Sequence, residues 1–351
     1  MIKVLIVEDS PTMRELTEHI LASDTAIRVV KSVTNGEEAV EAVTRLRPDV
    51  VTMDVHMPKM DGFEATRRIM ATQPVPIIVM SGTLTDQVAA TFHAIEAGAL
   101  AFVRQPPGPG HPDHETAAAE LVQMVKLMSE IKVVRRWASS RGPKAARELR
   151  KSQDVGIKIT PADVKLIAIG ASTGGPVALQ DILSALPGKL CVPVLIVQHT
   201  AKGFVAGLAE WLAQACDLQV HVAVGGELAL PGHVYIAPEE AHMGIDRNRR
   251  ITLSGAPPEH GLRPSVSYLF RSVAAAMGSK AIGILLTGMG KDGAEELKLM
   301  RDQGAITIAQ DQQSSIIHGM PGEAIRLDAA SYVLAPEEIA SVLTSLANNG
   351  K

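Results

Sequence analysis

The chain of 351 residues contains two cysteines, and only 3% of its residues are aromatic. The two cysteines have neither metal-ligand spacing nor the pattern of a disulfide framework, and we expect Cys191 and Cys216 to be buried apolar side chains. The chain has no signal sequence and no apolar run near the ~18 residues of a membrane helix, and its net charge is −4. These absences predict a cytoplasmic protein of two or three domains, without membrane insertion or a nucleic-acid partner.

One apolar run ends at a single hydroxyl, in the segment Lys165-Leu-Ile-Ala-Ile-Gly-Ala-Ser172-Thr-Gly-Gly-Pro176. Glycines and a proline at these places predict a sharp strand-to-helix turn, with Ser172 at the carboxyl end of the strand. Backbone N–H groups at the start of that helix can stabilise an oxyanion. A simple turn or a phosphate-binding loop fits the same residues. The glycine order differs from the dinucleotide fingerprint G-x-G-x-x-G.

Two further apolar runs also end in chemically active side chains. His199 follows Val-Leu-Ile-Val-Gln, and Asp292 lies in a glycine-rich loop after Ala-Ile-Gly-Ile-Leu-Leu. Parallel strands end at one edge of a sheet, so these side chains and Ser172 are predicted to converge. A serine nucleophile needs an imidazole to take its proton and a carboxylate to orient that imidazole. The order Ser, His, Asp differs from that of α/β-hydrolases, which indicates another fold.

Residues 1–107 alternate apolar runs with helical patterns, which predicts a parallel sheet with right-handed crossovers. Polar residues again follow the strands, namely Glu8, Asp9, Asp54 and Ser81. Three carboxylates at one edge repel each other unless a cation lies between them, and oxygen ligands of this kind suit Mg²⁺. An aspartate beside that ion can act as a nucleophile toward phosphorus.

A proline- and glycine-rich cluster at 106–112 ends this first region. Beyond it, apolar residues recur at helical spacing and predict an amphipathic helix packed against one or both domains: Leu121, Val125, Met128, Ile131, Val134 and Trp137. Residues 126–158 hold ten Lys or Arg against three acidic residues. This basic segment is either a solvated linker or a docking surface for an acidic partner.

The first region resembles the receiver domain of two-component response regulators in three segments. They are Ile-Val-Glu-Asp-Ser, Met-Asp54-Val-His-Met-Pro-Lys-Met-Asp-Gly62 and Val-Met-Ser81. The resemblance implies a flavodoxin-like, five-stranded parallel sheet with Asp54 as the phosphoacceptor. It also implies a Mg²⁺ site formed by Glu8, Asp9, Asp54 and the carbonyl of His56, with Ser81 as the switch hydroxyl.

One position departs from the receiver pattern. Receivers carry a lysine before a proline after the last strand, whereas this chain has Gln105 before Pro106. An amide donates a hydrogen bond to a phosphoryl oxygen but supplies no positive charge. The neighbouring Arg104 is offset by one residue, so it should point to the opposite face. The glutamine at position 105 therefore bears on how phosphorylation is coupled to activation.

The second region is similar to the catalytic domain of the chemotaxis methylesterases. The matching segments are Ile-Gly-Ala-Ser172-Thr-Gly-Gly-Pro, Val-Gln-His199, His-Val-Tyr-Ile-Ala-Pro238, Arg263-Pro-Ser-Val, Leu-Thr-Gly-Met-Gly-Lys-Asp292-Gly-Ala and Gly319-Met-Pro-Gly-Glu-Ala324. The resemblance implies a receiver domain at 1–107, a linker at 108–162 and a larger, mostly parallel, doubly wound α/β catalytic domain at 163–351. Strands are expected throughout that domain, and a hairpin is expected between the Val234 run and residues 250–254.

The resemblance also implies the reaction and its partners. The enzyme would hydrolyse glutamate methyl esters on chemoreceptors and deamidate receptor glutamines, under control of a chemotaxis histidine kinase and without a cofactor for the esterase. Ser172 would be the nucleophile, His199 the base and Asp292 the orienting carboxylate, with Thr173 and Met289 as supports. Two departures concern receptor preference: Thr-Ala-Lys-Gly-Phe after His199 replaces Met-Pro-Pro-Gly-Phe, and Ser267 stands where Asp is frequent.

Two other classes of function compete with this interpretation. A regulatory binding protein that has lost hydrolase activity fits the same domains, although the complete set of Ser, His and Asp opposes it. A receiver-gated oxidoreductase is the second. The sequence opposes it, because no acidic ribose-binding residue is evident at the expected strand end.

Overall fold

The computed structural model describes residues 1–81, 97–131, 164–200 and 202–348. The chain divides into two units, Met1–Gln153 and Asp154–Lys351. Each unit is an α/β sheet structure of its own. Helices and strands are numbered below in chain order over the described residues.

The first unit contains a five-stranded sheet and four described helices. Its strands are β1 Ile2–Val7, β2 Ile27–Val33, β3 Val50–Asp54, β4 Ile77–Ser81 and β5 Ala101–Arg104. Its helices are α1 Pro11–Ala22, α2 Gly36–Leu46, α3 Gly62–Thr72 and α4 His114–Ser129. All strand pairs are parallel and their order is β2-β1-β3-β4-β5, which confirms the predicted flavodoxin-like sheet.

Short polar side chains define where the first helices begin. Ser10 precedes α1, whose first residue is Pro11, and its hydroxyl accepts a hydrogen bond from the Met13 amide. Asn35 and Asp61 cap α2 and α3 in the same way. These caps satisfy amides that have no partner inside the helix, so each helix starts directly after a strand-end loop.

Helix α4 corresponds to the amphipathic helix expected beyond the proline cluster. It buries Leu121, Val125 and Met128 completely, and it contacts α1 and strands β3 to β5. The helix ends at Ser129, so Ile131 of that prediction is not helical, while Val134 and Trp137 lie outside the described residues, as does the basic segment beyond 131. The domain limits at 107 and 162 stay predictions.

The second unit contains a seven-stranded sheet and a separate two-stranded hairpin. Its strands are β6 Leu166–Ala171, β7 Val194–Gln198, β8 Gln219–Val222, β9 His233–Ile236, β10 His242–Ile245, β11 Ile251–Ser254, β12 Ala281–Leu285, β13 Ile306–Gln310 and β14 Tyr332–Leu334. Its α-helices are α5 Gly175–Leu183, α6 Val205–Ala215, α7 Val266–Met277, α8 Ala294–Asp302, α9 Met320–Arg326 and α10 Pro336–Asn348, with a 3₁₀ turn at Gly278–Lys280.

The order of the large sheet is β14-β13-β12-β6-β7-β9-β8, with every pair parallel. This confirms the doubly wound α/β architecture. The chain proceeds from β6 toward β7 on one side and returns to β12 on the other side, so the connections diverge between β6 and β12. Ligand sites of open α/β sheets lie at such a divergence, at the carboxyl ends of the strands. Ser172 and the Asp292 loop follow these two strands.

Two expectations about the second unit were wrong in detail. The hairpin exists, but its first strand is β10 and not the Val234 run, which forms β9 inside the parallel sheet. The β10 segment His-Met-Gly-Ile is interrupted by a histidine and a glycine, so no continuous apolar run marks it as a strand. Cys191 is exposed and Cys216 is half-buried, and neither forms a disulfide. Within the described ranges, no helix is long and apolar enough to span a membrane.

Candidate functional site

Ser172 lies immediately after β6, at the sharp turn that leads into α5. Its amide donates to the carbonyl of Thr287 beyond β12 at 3.0 Å, which holds the turn against the neighbouring strand end. Gly174 has φ of +80°, a left-handed conformation that side chains rarely adopt. Gly288 is required for a different reason: a side chain there would place its Cβ 2.6 Å from the Ser172 Cβ. The structure therefore has the predicted strand-to-helix elbow.

His199 lies beside this elbow. Strands β6 and β7 pair with Ala171 opposite Gln198, and the His199 amide donates to the Ala171 carbonyl at 2.9 Å. The imidazole Nε2 donates to Oδ2 of Asp292, also at 2.9 Å. Thus the structure brings His199 and Asp292 into direct contact and places Ser172 at the adjacent strand end, as the sequence predicted.

Asp292 is 2% exposed and accepts four hydrogen bonds. Oδ1 accepts from the Ser265 hydroxyl at 2.8 Å and the Ser267 amide at 3.0 Å, while Oδ2 accepts from the Val266 amide at 2.7 Å and from His199. The carboxylate therefore caps α7 from another loop. Burial alone raises the pKa of Asp292, but the hydrogen bonds and charge of His199, together with Ser267, lower it to well below its usual range.

The predicted support residues surround the same elbow. The carbonyl of Thr173 accepts from the hydroxyl of Thr287 at 2.9 Å, and that hydroxyl also accepts from the Ile317 amide. Met289 lies in the glycine-rich loop and is 37% exposed. Thr287 thus ties the elbow to the segment before α9, which keeps the loop of Met289 close to Ser172.

Sequence reasoning missed two residues of this site. The buried amide of Gln198 donates to the carbonyls of both Ser172 and His199, each at 2.8 Å, and so joins the two main chains. Ser265 donates to Asp292. Both belong to segments already noted, Val-Gln-His199 and Arg263-Pro-Ser-Val, but no spacing rule indicates their partners. Ser267, the atypical residue, accepts from the Gly293 amide at 2.9 Å, a bond that an aspartate can also accept.

The first unit has a separate acidic cluster at the divergence between β1 and β3. Glu8, Asp9 and Asp54 each place a carboxylate oxygen within 4.8 Å of the others, and Glu8 is buried. Because β1 and β3 are neighbours, the residues that follow them meet at one edge. These oxygen donors fit a Mg²⁺ ion, which prefers carboxylates and water.

Two carboxylates of this cluster, those of Glu8 and Asp54, have raised pKa values. Burial, followed by the charge of Asp54, raises the pKa of Glu8 to about 7. Burial also raises the pKa of Asp54, and the charge of Asp9 adds to the effect, although the amides of Val55 and His56 oppose it. A cation would reverse this balance, since it stabilises the charged forms.

Gln105 lies within this cluster, as the receiver pattern predicts. Its Nε2 donates to Oε2 of Glu8 at 3.1 Å. His56 follows β3 and is exposed, and the role of its carbonyl stays a prediction. Ser81 ends β4, next to β3, while its side chain lies outside the described part.

Comparisons with known proteins agree with both units. Residues 4–111 match the response regulator receiver domain, and residues 167–343 match the CheB methylesterase family. The second unit is also similar to the crystal structure of the Thermotoga maritima CheB methylesterase catalytic domain. The TM-score is 0.51 at 36% identity, over 52% of this chain and 98% of that one. Together the fold and these matches define a response regulator with a methylesterase-type output domain.

Relatives match over almost the whole length. The protein-glutamate methylesterase/protein-glutamine glutaminase of Nitrosospira multiformis is 53% identical over 348 residues, which cover 99% of this chain and 97% of that protein. A protein of Syntrophus aciditrophicus with the same description is 54% identical over 350 residues, 99% of each chain. The chain therefore belongs to the protein-glutamate methylesterase/protein-glutamine glutaminase family.

Proposed function

We propose that this protein hydrolyses glutamate methyl esters on chemoreceptors, releasing methanol, and deamidates receptor glutamines, releasing ammonia. The observation that carries the proposal is the direct contact of His199 with a buried, fully hydrogen-bonded Asp292 beside the Ser172 elbow. The names of relatives that match 99% of the chain support the substrate.

In the proposed reaction, the Ser172 hydroxyl attacks the ester carbonyl while His199 takes its proton. Because Nε2 of His199 faces Asp292, Nδ1 is the nitrogen left to act as the base. The oxyanion forms near the start of α5 and the loop 288–293, where backbone N–H groups stabilise it with support from Thr173 and Met289. His199 returns the proton to the departing methanol.

Water then attacks the acyl group on Ser172, with His199 again as the base, and the receptor glutamate is released. For a glutamine substrate the first leaving group is ammonia instead of methanol. Throughout, Asp292 keeps the imidazole oriented and stabilises its protonated form.

The test of this mechanism is methanol release from methylated receptors by Ser172→Ala, with circular dichroism to show that the variant is folded. We expect a loss of roughly a thousandfold or more, because the nucleophile is removed. His199→Ala should be similarly severe. A folded Ser172→Ala enzyme that keeps more than about a tenth of the wild-type rate would exclude the mechanism.

The regulatory part of the proposal concerns Asp54. We infer that it accepts a phosphoryl group from a chemotaxis histidine kinase and that phosphorylation relieves inhibition of the esterase by the receiver domain. Glu8, Asp9, Asp54 and the carbonyl of His56 would hold Mg²⁺, which neutralises phosphoryl charge when bound. The switch roles of Ser81 and Gln105 belong to the same proposal. Acetyl phosphate should label the wild-type protein and not Asp54→Asn.

A further inference from the structure

His242 is a histidine that the reaction above does not use. It begins β10 and has no exposed surface. Its ring stacks on Tyr268 of α7, with 4.8 Å between the ring centres and 16° between the planes. A buried imidazole with no exposure must satisfy both ring nitrogens inside the protein, because an unpaired polar group there is costly.

Both nitrogens of His242 have main-chain partners that determine its protonation. Nε2 lies 3.1 Å from the carbonyl of Pro257, which only accepts, so Nε2 carries the proton. Nδ1 then has a lone pair, and it accepts from the Ser265 amide at 3.2 Å. The ring is therefore neutral, with one defined donor and one defined acceptor.

Ser265 extends this arrangement to the active site. It precedes α7 without capping it, because its hydroxyl donates to Oδ1 of Asp292 instead. The residue before it is Pro264, which has no N–H, so the Ser265 amide is the main-chain donor that anchors this corner. The chain of hydrogen bonds runs from His242 through Ser265 to Asp292 and His199.

We propose that His242 is a positioning residue for the reaction of Ser172: its Nδ1 holds Ser265 so that the hydroxyl reaches Asp292. With that acceptor removed, the Ser265 amide becomes an unpaired buried donor, and the corner shifts to find another partner. The Ser265 hydroxyl then leaves Asp292, and the carboxylate orients His199 less well. This inference rests on the proposed Ser172 mechanism.

Two substitutions by amide side chains test the accepting and the donating nitrogen of the imidazole separately. His242→Asn places a carbonyl oxygen near the former Nδ1 and retains the bond from Ser265. His242→Gln, with its longer side chain, places an N–H near the former Nε2 and loses that acceptor. His221→Asn is the control for a histidine-to-asparagine change elsewhere in the same unit, since the contacts described for this partly exposed histidine are with His233, Tyr235 and Glu227.

The primary readout is the rate at which a fluorophosphonate labels Ser172 in the full-length protein, with the labelled residue identified by mass spectrometry. It reports activation of the nucleophile and does not require a receptor. Methanol release, separated into kcat and KM, is the second readout. Wild-type labelling at Ser172 without methanol release would reject the proposed substrate and leave the role of His242 testable.

We expect His242→Gln to lower the labelling rate and kcat by about tenfold with KM unchanged, and His242→Asn to stay within about threefold of wild type. Equal rates for the two variants would overturn the proposal. If His242→Gln does not fold, Ser265→Ala decides, because it keeps the amide and removes only the hydroxyl. A folded Ser265→Ala protein with wild-type labelling would also overturn it.

A double variant tests whether the two residues act in one chain. If His242 acts through Ser265, then His242→Gln combined with Ser265→Ala should be no slower than the slower single variant. Multiplication of the two single effects would show that His242 acts by another route and would refute the proposal.

Discussion

The two strand-divergence sites of this chain place carboxylates in opposite electrostatic conditions. In the first unit, Glu8 and Asp54 face another carboxylate across a few ångströms, and both pKa values are raised, that of Glu8 to about 7. In the second unit, Asp292 is similarly inaccessible, yet its pKa is lowered. Burial is common to both, so burial alone does not decide the direction of the shift.

The groups that contact each carboxylate decide the direction of its pKa shift. Asp292 receives four hydrogen bonds, two of them from amides at the start of α7, and one of the others comes from an imidazole. Glu8 receives an amide bond from Ser10 and a neutral one from Gln105, which do not offset the neighbouring negative charges. The carboxylate of Asp292 is organised by the fold itself, whereas the acidic cluster has the oxygen donors that a cation would need to offset its negative charges.

The largest expected effect is at the organised carboxylate. Asp292→Asn should lower methanol release by roughly a thousandfold, because the amide no longer stabilises the imidazolium or selects its tautomer. Asp246→Asn is the matched control, at an exposed turn where the carboxylate accepts from the main-chain amides of Asn248 and Arg250. A loss of less than tenfold at Asp292 would mean that its hydrogen bonds are structural.

The next prediction compares the whole units. Removal of Met1–Gln153, with a fragment beginning at Asp154, should raise basal esterase activity by roughly 5–150-fold if the receiver unit inhibits catalysis. The cut falls after α4 because that helix buries apolar side chains against the first sheet. Equal rates for folded full-length and truncated proteins would remove the inhibition model.

A smaller effect is expected at Gln105. A charge-assisted bond from lysine to a phosphoryl group is about 1–2 kcal/mol stronger than the neutral bond from an amide, enough to shift a two-state population by roughly 5- to 30-fold. Gln105→Lys should therefore increase the ratio of phosphorylated to unphosphorylated esterase rates, with the unphosphorylated rate unchanged. Strong activation of wild type, unchanged by the substitution, would show that this charge does not couple the units.

The smallest effect is a pH dependence of stability in the acidic cluster. The folded-state pKa of Glu8, about 7, exceeds its ordinary value of 4.5, so the folded protein binds this proton more tightly than the unfolded chain does. Stability should therefore fall as the pH rises from about 4.5 through 7. Without divalent cations, Glu8→Gln should stabilise the first unit at pH 8 by about 1 kcal/mol. The stabilisation is smaller than the pKa shift alone implies, because solvent at the exposed Asp9 screens the repulsion between the carboxylates.

Hydrogen exchange of the β1 and β3 amides measures this difference. At pH 4 the variant and wild type should exchange alike, since Glu8 is protonated in both the folded and unfolded states. Mg²⁺ should reduce the gain at pH 8, because an ion that binds only the folded wild type stabilises it. The same gain at both pH values would exclude a titration of Glu8 as the cause.

Much of this protein was predictable from local sequence. Apolar runs that end at Ser172, His199, Asp54 and the adjacent Glu8 and Asp9 predicted the strands and the two parallel sheets. They also predicted that polar residues converge at one edge of each sheet. Caps such as Ser10, Asn35 and Asp61 are equally local, because they act on amides a few residues away. The β10 strand was missed because a histidine and a glycine interrupt its short apolar segment, and the exposure of Cys191 depends on a loop whose packing has no local signal.

The sequence by itself determined which side chains are available and where along each strand they stand, since alternation, turn residues and caps depend on near neighbours in the chain. Only the tertiary structure decided the environment of each carboxylate. Asp292 is stabilised by Ser265, Val266 and Ser267, which are distant in sequence and meet it through the packing of α7 beside β12. Glu8 meets Gln105 and Asp54 for the same reason. Electrostatic free energy depends on distance in space and on solvent exclusion, and both are properties of the folded chain.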